Sequence, residues 1–153
     1  MPSAAFVALE ANGERDFMFY CHPSADMLFT AEEVQLDAIQ AAKLVHFGSL
    51  SLRPAPIREA TLYALDAARQ AGCLVSYDPN LRLSLWADEA SAREALLLGL
   101  SKAQIVKISE DEVAFLTGKD NIDASVKQIW HDELQLLVVT RGSKGCRYFT
   151  PDA

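Results

Sequence analysis

From residue 44 onward, short apolar runs alternate with stretches of helical spacing, and this alternation constrains the fold more than any other feature. Leu44-Val45-His46-Phe47-Gly48 reads as a buried strand. Pro54 and Pro56 then suit the opening of a helix, Ile57, Thr61, Ala64, Leu65 and Ala68 recur at helical spacing, and Gly72 stops it. Cys73-Leu74-Val75-Ser76-Tyr77 is the next expected strand, 88–100 the next helix, and Gln104-Ile105-Val106-Lys107-Ile108 the strand after it. A short helix over 109–117 ends at Gly118, and a further helix covers 122–132. Leu136–Val139 is a strand, and Cys146–Phe149 pairs with it through a turn at 142–145. Such alternation predicts an α/β fold: a three-layer, Rossmann-like, mostly parallel sheet with helices on both faces.

Residues 4–21 stand outside that pattern. Ala5–Leu9 and Phe17–Cys21 are apolar and aromatic, and Asn12-Gly13 between them suits the positive φ angles of a tight hairpin turn. The expected division is a small β flap over 1–25 and an α/β core over 26–153. The sequence opens directly on a strand and ends just after one, which reads as an incomplete domain in both parts.

With 21 acidic and 14 basic residues, the net charge is −7, and no basic block is present. A nucleic-acid partner is therefore not expected. A small phosphorylated ligand is still compatible, because a few cations and backbone N–H groups suffice to hold one. No apolar run approaches the ~20 residues that span a bilayer. Met1–Ala5 has no basic region and no signal-length apolar core. Cys21, Cys73 and Cys146 fit no zinc spacing and read as reduced thiols, so a cytoplasmic location is expected. His22, His46 and His131 share no metal-ligand spacing and read as structural, His46 within a buried strand. Trp86 and Trp130 read as core or cleft wall.

Open parallel sheets bind ligands beyond the carboxyl ends of their strands. Three polar clusters fall there: Asp78-Pro79-Asn80-Leu81-Arg82, Lys107 to Glu112, and Thr140-Arg141-Gly142-Ser143-Lys144-Gly145. Each has two readings. Asp-Pro-Asn is a common turn former, yet Asn80 and Arg82 could bond a sugar hydroxyl or a phosphate. Ser109-x-x-Glu112 is a capping box, yet Glu112 could approach a hydrated Mg²⁺. Gly142–Gly145 could be a plain hairpin connection, yet its glycines would let the backbone approach a nucleotide, with Thr140 and Ser143 donating hydrogen bonds. The order of a Walker A loop is absent.

Taken in order, these clusters resemble the ribokinase-like (PfkB-type) carbohydrate kinases. Ala5-Phe6-Val7 through Gly13-Glu14-Arg15 is similar to that family's lid strands, and His46–Leu50 to the strand before its middle helix. Asp78–Arg82, followed by Leu85-Trp86, is similar to the fructokinase branch. The resemblance implies transfer of the ATP γ-phosphate to a primary sugar hydroxyl, the 6-hydroxyl of fructose in the first instance. It implies that Asn80 and Arg82 bind substrate. Asp78, Lys107, Ser109, Glu112, Thr140, Gly142, Ser143 and Gly145 would bind nucleotide, with Glu112 reaching Mg²⁺ through water. A monovalent cation such as K⁺ is a further expected ion, and homodimerisation through the lid a further expected assembly.

The resemblance also implies a catalytic Asp in a Gly-Ala-Gly-Asp motif and an N-terminal Gly-Gly sugar-binding segment. Neither motif occurs here, so no catalytic residue is assigned, and the expectation is a central, inactive fragment of such a kinase. Two other readings stay open. One is another PfkB-type enzyme, acting on 2-keto-3-deoxygluconate or a nucleoside. The other is a non-catalytic nucleotide-binding or dimerising module.

Overall fold

The computed structural model describes residues 4–9, 11, 13, 15–20 and 24–152. The described residues form two sheets. The first is an antiparallel hairpin of β1 (Ala4–Leu9) and β2 (Arg15–Tyr20), with Phe6 opposite Met18 and Val7 opposite Phe17. The expected Asn12-Gly13 turn lies partly outside the described residues, as do Cys21 and His22, while Gly13 takes a φ of +84°.

The second sheet has five strands: β3 (Leu44–Gly48), β4 (Leu74–Asp78), β5 (Ile105–Ser109), β6 (Leu136–Thr140) and β7 (Cys146–Phe149). They lie in chain order, the first four parallel and β7 antiparallel to β6. Helices α1 (Leu36–Gln40), α2 (Ile57–Gln70), α3 (Glu89–Leu100), α4 (Glu110–Thr117) and α5 (Ile122–Ile129) connect or precede these strands. This is the mostly parallel α/β sheet that the alternation predicts, but the helices expected on both faces pack, among the described residues, on one, because parallel strands added in chain order by crossovers of one hand place their helices on the same side.

Local chemistry sets the helix ends. Asp88 accepts the Ser91 N–H at 2.7 Å to start α3, and Asn121 accepts the Ala124 N–H at 2.9 Å to start α5. Ser109 and Glu112 close a capping box on α4, which Gly118 ends in the left-handed region at φ +68°. The helix expected over 122–132 stops at Ile129, because Trp130 turns to extended backbone.

Burial differs between the two faces of the sheet. Val75, Tyr77, Val106, Ile108, Leu137 and Val139 are buried in one cluster with the apolar residues of α2 to α5. Their alternates on the other face are not: Leu74 and Lys107 are exposed, and Ser76, Ile105, Leu136 and Val138 are half-buried. His46 belongs to this second face. The sequence pattern predicts it within a buried strand, but its ring is exposed and its Nδ1 lies 2.7 Å from the Ser76 hydroxyl across the β3–β4 pair. Phe47, its neighbour, faces the core and stacks on Tyr77 with ring centroids 4.6 Å apart.

Among the described residues, no helix is long and apolar enough to cross a membrane.

Candidate functional site

Residues at and just beyond the carboxyl ends of β4 and β5 line a cleft of about 720 Å³. Asn80 and Arg82 come from the β4 end, and Lys107, Ser109, Asp111 and Glu112 from the β5 end and the first turn of α4. Phe17 of β2 and Phe115 of α4 add aromatic wall. The topology explains the meeting. β4 and β5 are parallel neighbours, so their carboxyl ends open on the same side.

The segment after β4 is held at several points. Asp78 accepts from Lys107 Nζ at 2.9 Å. The Pro79 carbonyl accepts the Ser49 N–H at 3.1 Å. Asn80 adopts a φ of +44°, the left-handed region that Asn tolerates better than most residues. The Leu81 N–H then donates to Glu112 Oε1 at 2.6 Å. Arg82 lies in the cleft wall with Nη1 donating to the Leu81 carbonyl at 2.9 Å. Its guanidinium sits 5.2 Å from the Phe17 ring centroid, a cation–π contact that links hairpin and core.

Glu112 is the most enclosed ionisable group of the cleft, only 9% exposed. Its Oε2 accepts from the Ser109 N–H and from the Ser109 hydroxyl, both at 2.8 Å, while Oε1 takes Leu81. A carboxylate has about four lone-pair positions, so one position at Oε1 is left after these three bonds. That geometry fits a water-mediated contact to a metal better than direct ligation. Among the described residues, no group of three or more His, Cys, Asp or Glu side chains is arranged to hold a metal ion.

Beneath the cleft, burial pushes the Tyr77 phenol far above its ordinary value, with the charges of Glu112 and Asp78 adding to the effect. Tyr77 is thus a neutral packing residue at physiological pH.

Of the sequence-predicted residues, Asn80, Arg82, Lys107, Ser109 and Glu112 line one cleft, and Asp78 joins them through Lys107. Thr140, Gly142, Ser143 and Gly145 do not line it. Thr140 pairs with Ser109 at the end of the β5–β6 ladder, and its hydroxyl lies 3.5 Å from the Ile108 carbonyl. The turn beyond it is tied to α4 by Arg141 Nε, 3.3 Å from Glu110 Oε1. Gly142 and Gly145 take φ values of +56° and +82° around a short 3-10 turn, with open space where a side chain would project.

Sequence reasoning did not assign Phe17, Asp111 or Phe115 to the site. Asp111 had a signal, since it sits inside the Lys107–Glu112 cluster. The two aromatics reach the cleft only through tertiary packing.

A polar cleft at the carboxyl edge of an open α/β sheet, faced by a two-stranded hairpin, defines a class of phosphate- and small-molecule-handling folds. The chain matches the pfkB family carbohydrate kinases over residues 2–153, and it belongs to that family. It is 54% identical over 149 residues to fructokinase-2 of Oryza sativa subsp. japonica, covering 97% of this chain and 44% of the relative. The fructokinase of Xylella fastidiosa superposes with a TM-score of 0.87 at 37% identity, covering 99% of this chain and 47% of that one. Fructokinase of Vibrio cholerae O395, in a structure with bound fructose, ADP and calcium ion, gives 0.77 at 30% identity, covering 97% and 48%. The chain spans about half the length of the relatives that it matches.

Proposed function

We propose that this chain forms the substrate-facing part of an ATP-dependent fructokinase, which transfers the ATP γ-phosphate to the 6-hydroxyl of fructose. The observation that carries this reading is the single cleft in which the Asp78–Arg82 and Lys107–Glu112 segments meet. Relatives named fructokinase at about half identity support the choice of sugar.

In this reading Asn80 and Arg82 hold the sugar and the phosphate that it receives. Arg82 offers a planar fork of donors suited to phosphate oxygens. Lys107, half exposed and paired with Asp78, supplies a cation at the β5 end, and Ser109 a hydroxyl. Thr140, Gly142, Ser143 and Gly145 form the outer part of the nucleotide site, where the open turn lets a ligand approach the backbone. Mg²⁺ bound with ATP would neutralise phosphate charge, and Glu112 would hold it through water, with Asp111 beside it. K⁺ is proposed as an accessory ion on the strength of the family resemblance alone.

The hairpin, residues 1–25, would act as the lid over a core of 26–153. Phe17 already reaches the cleft from β2. The lid is also the proposed homodimer contact, since Leu9 is 74% exposed and Met18 63% exposed. A cytoplasmic setting accords with the free thiols of Cys73 and Cys146.

Two assays on the 153-residue chain test the reading. Calorimetry with fructose 6-phosphate, which combines sugar and phosphate, should show binding that Arg82→Ala weakens about tenfold or more. No binding by the unsubstituted chain would overturn the assignment of the cleft. A coupled assay for ADP release with MgATP and a sugar panel should show no turnover, because no Gly-Ala-Gly-Asp base motif occurs in these residues. Turnover led by 2-keto-3-deoxygluconate or a nucleoside, and not by fructose, would replace the fructokinase reading with the wider family alternative.

A further inference from the structure

We infer that Glu112 is a positioning residue for Arg82, acting through the Leu81 backbone independently of any metal. The inference rests on the reading of Arg82 as the phosphate-binding side chain.

The argument starts from the accounting of donors. A carboxylate that is only 9% exposed is costly to bury unless its oxygens accept hydrogen bonds. Glu112 has three, and they come from two different segments: two from Ser109 in its own capping box, one from Leu81 31 residues away. The capping bonds alone would satisfy the needs of a helix N-terminus. The bond to Leu81 is a further connection at 2.6 Å, shorter than the usual N–H···O distance.

Leu81 then carries the connection onward. Its N–H is held by Glu112, and its carbonyl accepts from Arg82 Nη1 at 2.9 Å. Asn80, immediately before it, holds a φ of +44°, in the left-handed region that Asn tolerates but that is still less favourable than right-handed backbone. Something must hold that conformation. Pro79 is anchored through its carbonyl by Ser49, and Leu81 through its N–H by Glu112, so the left-handed residue is clamped between two fixed points. Without the second clamp, Asn80 would relax, and the Leu81 carbonyl would turn away from the guanidinium that it orients. The outcome is an arginine presented in one direction, with the Phe17 ring 5.2 Å beneath its charge. Preorganisation of this kind lowers the ordering cost of binding an anion.

The test uses inorganic phosphate as the probe, with the 153-residue chain in the presence of a chelator so that no divalent metal takes part. Phosphate is titrated while the Arg82 Nε–H and Leu81 N–H signals are followed by NMR, the former assigned by its loss in Arg82→Lys. Glu112→Gln should weaken phosphate affinity about tenfold and move the Arg82 Nε–H signal toward that of a free arginine. An unchanged affinity and an unchanged Arg82 signal in a folded Glu112→Gln chain would overturn the inference and leave the kinase reading intact. Absence of any phosphate response in the unsubstituted chain would overturn the kinase reading of the cleft and this inference with it. Should Glu112→Gln not fold, hydrogen exchange at Leu81 in the unsubstituted chain decides. Protection from exchange supports the clamp, and exchange at the rate of a free amide overturns it.

Discussion

Individual residues show how closely the cleft depends on packing below it. Gly99 of α3 faces the Tyr77 ring, and a Cβ added there would lie 2.4 Å from its nearest ring carbon. Gly99→Ala should gain about 1 kcal/mol of helix propensity and lose more from the clash with a fully buried ring. The expected result is a net loss of about 1–2 kcal/mol, read as a lower Tm by calorimetry. A Tm equal to that of the parent chain would mean that Tyr77 can move aside. Since Asp78 follows Tyr77 directly, the same substitution should also disturb the Asp78–Lys107 ion pair, visible as a shift of the Lys107 Nζ signal.

Among the secondary-structure elements, caps act as pH-dependent fasteners. Asp88 accepts the Ser91 N–H at the start of α3, and that bond, reinforced by the Ser91 hydroxyl, holds its carboxyl below the usual carboxylate range. A depressed folded-state value means that the contribution is present above the unfolded-state value, about 4, and is lost as pH falls through the folded one. Asp88→Ala should therefore lower Tm at neutral pH, and the gap should shrink as pH falls through the lowered folded-state value, as scans into the acid range would show. If the gap between the two chains were constant with pH, the cap would not be acting through its charge.

How far these elements were legible in the sequence follows from the range of the forces that make them. The strand–helix alternation, the Ser109–Glu112 box and the stop at Gly118 are local, and the structure has all of them. Helix α1, only Leu36–Gln40, is too short for a periodic signal and was not anticipated. The grouping of the β4-end and β5-end clusters followed from strand order. The absence of Thr140–Gly145 from the cleft lining did not, because strand order places a loop at an edge without setting the direction in which it leaves. The Leu81–Glu112 bond joins residues with no sequence relation, and no local pattern announces it.

The molecule as a whole leaves one sheet face without a helical layer among the described residues, although parallel strands are ordinarily covered on both sides. That face carries Leu44, Leu74, Ile105, Leu136 and Val138, bordered by Tyr148, which is 69% exposed. Such a surface should drive concentration-dependent association of the isolated chain. Sedimentation over a wide concentration range should show it, and Leu74→Lys with Val138→Lys should suppress it with little change in Tm. A monomer at all concentrations would show that the face is tolerated in water. Chain order and strand order coincide in this sheet from β3 to β7. A nascent chain leaving the ribosome would therefore lay down each of the strands from β4 to β7 beside one already made. Each parallel partner, such as Leu74 for Leu44 or Leu136 for Ile105, arrives only after an intervening helix has been made, and pairing of that kind is slow to close; the sheet can still assemble vectorially, its growing edge the strand most recently synthesised.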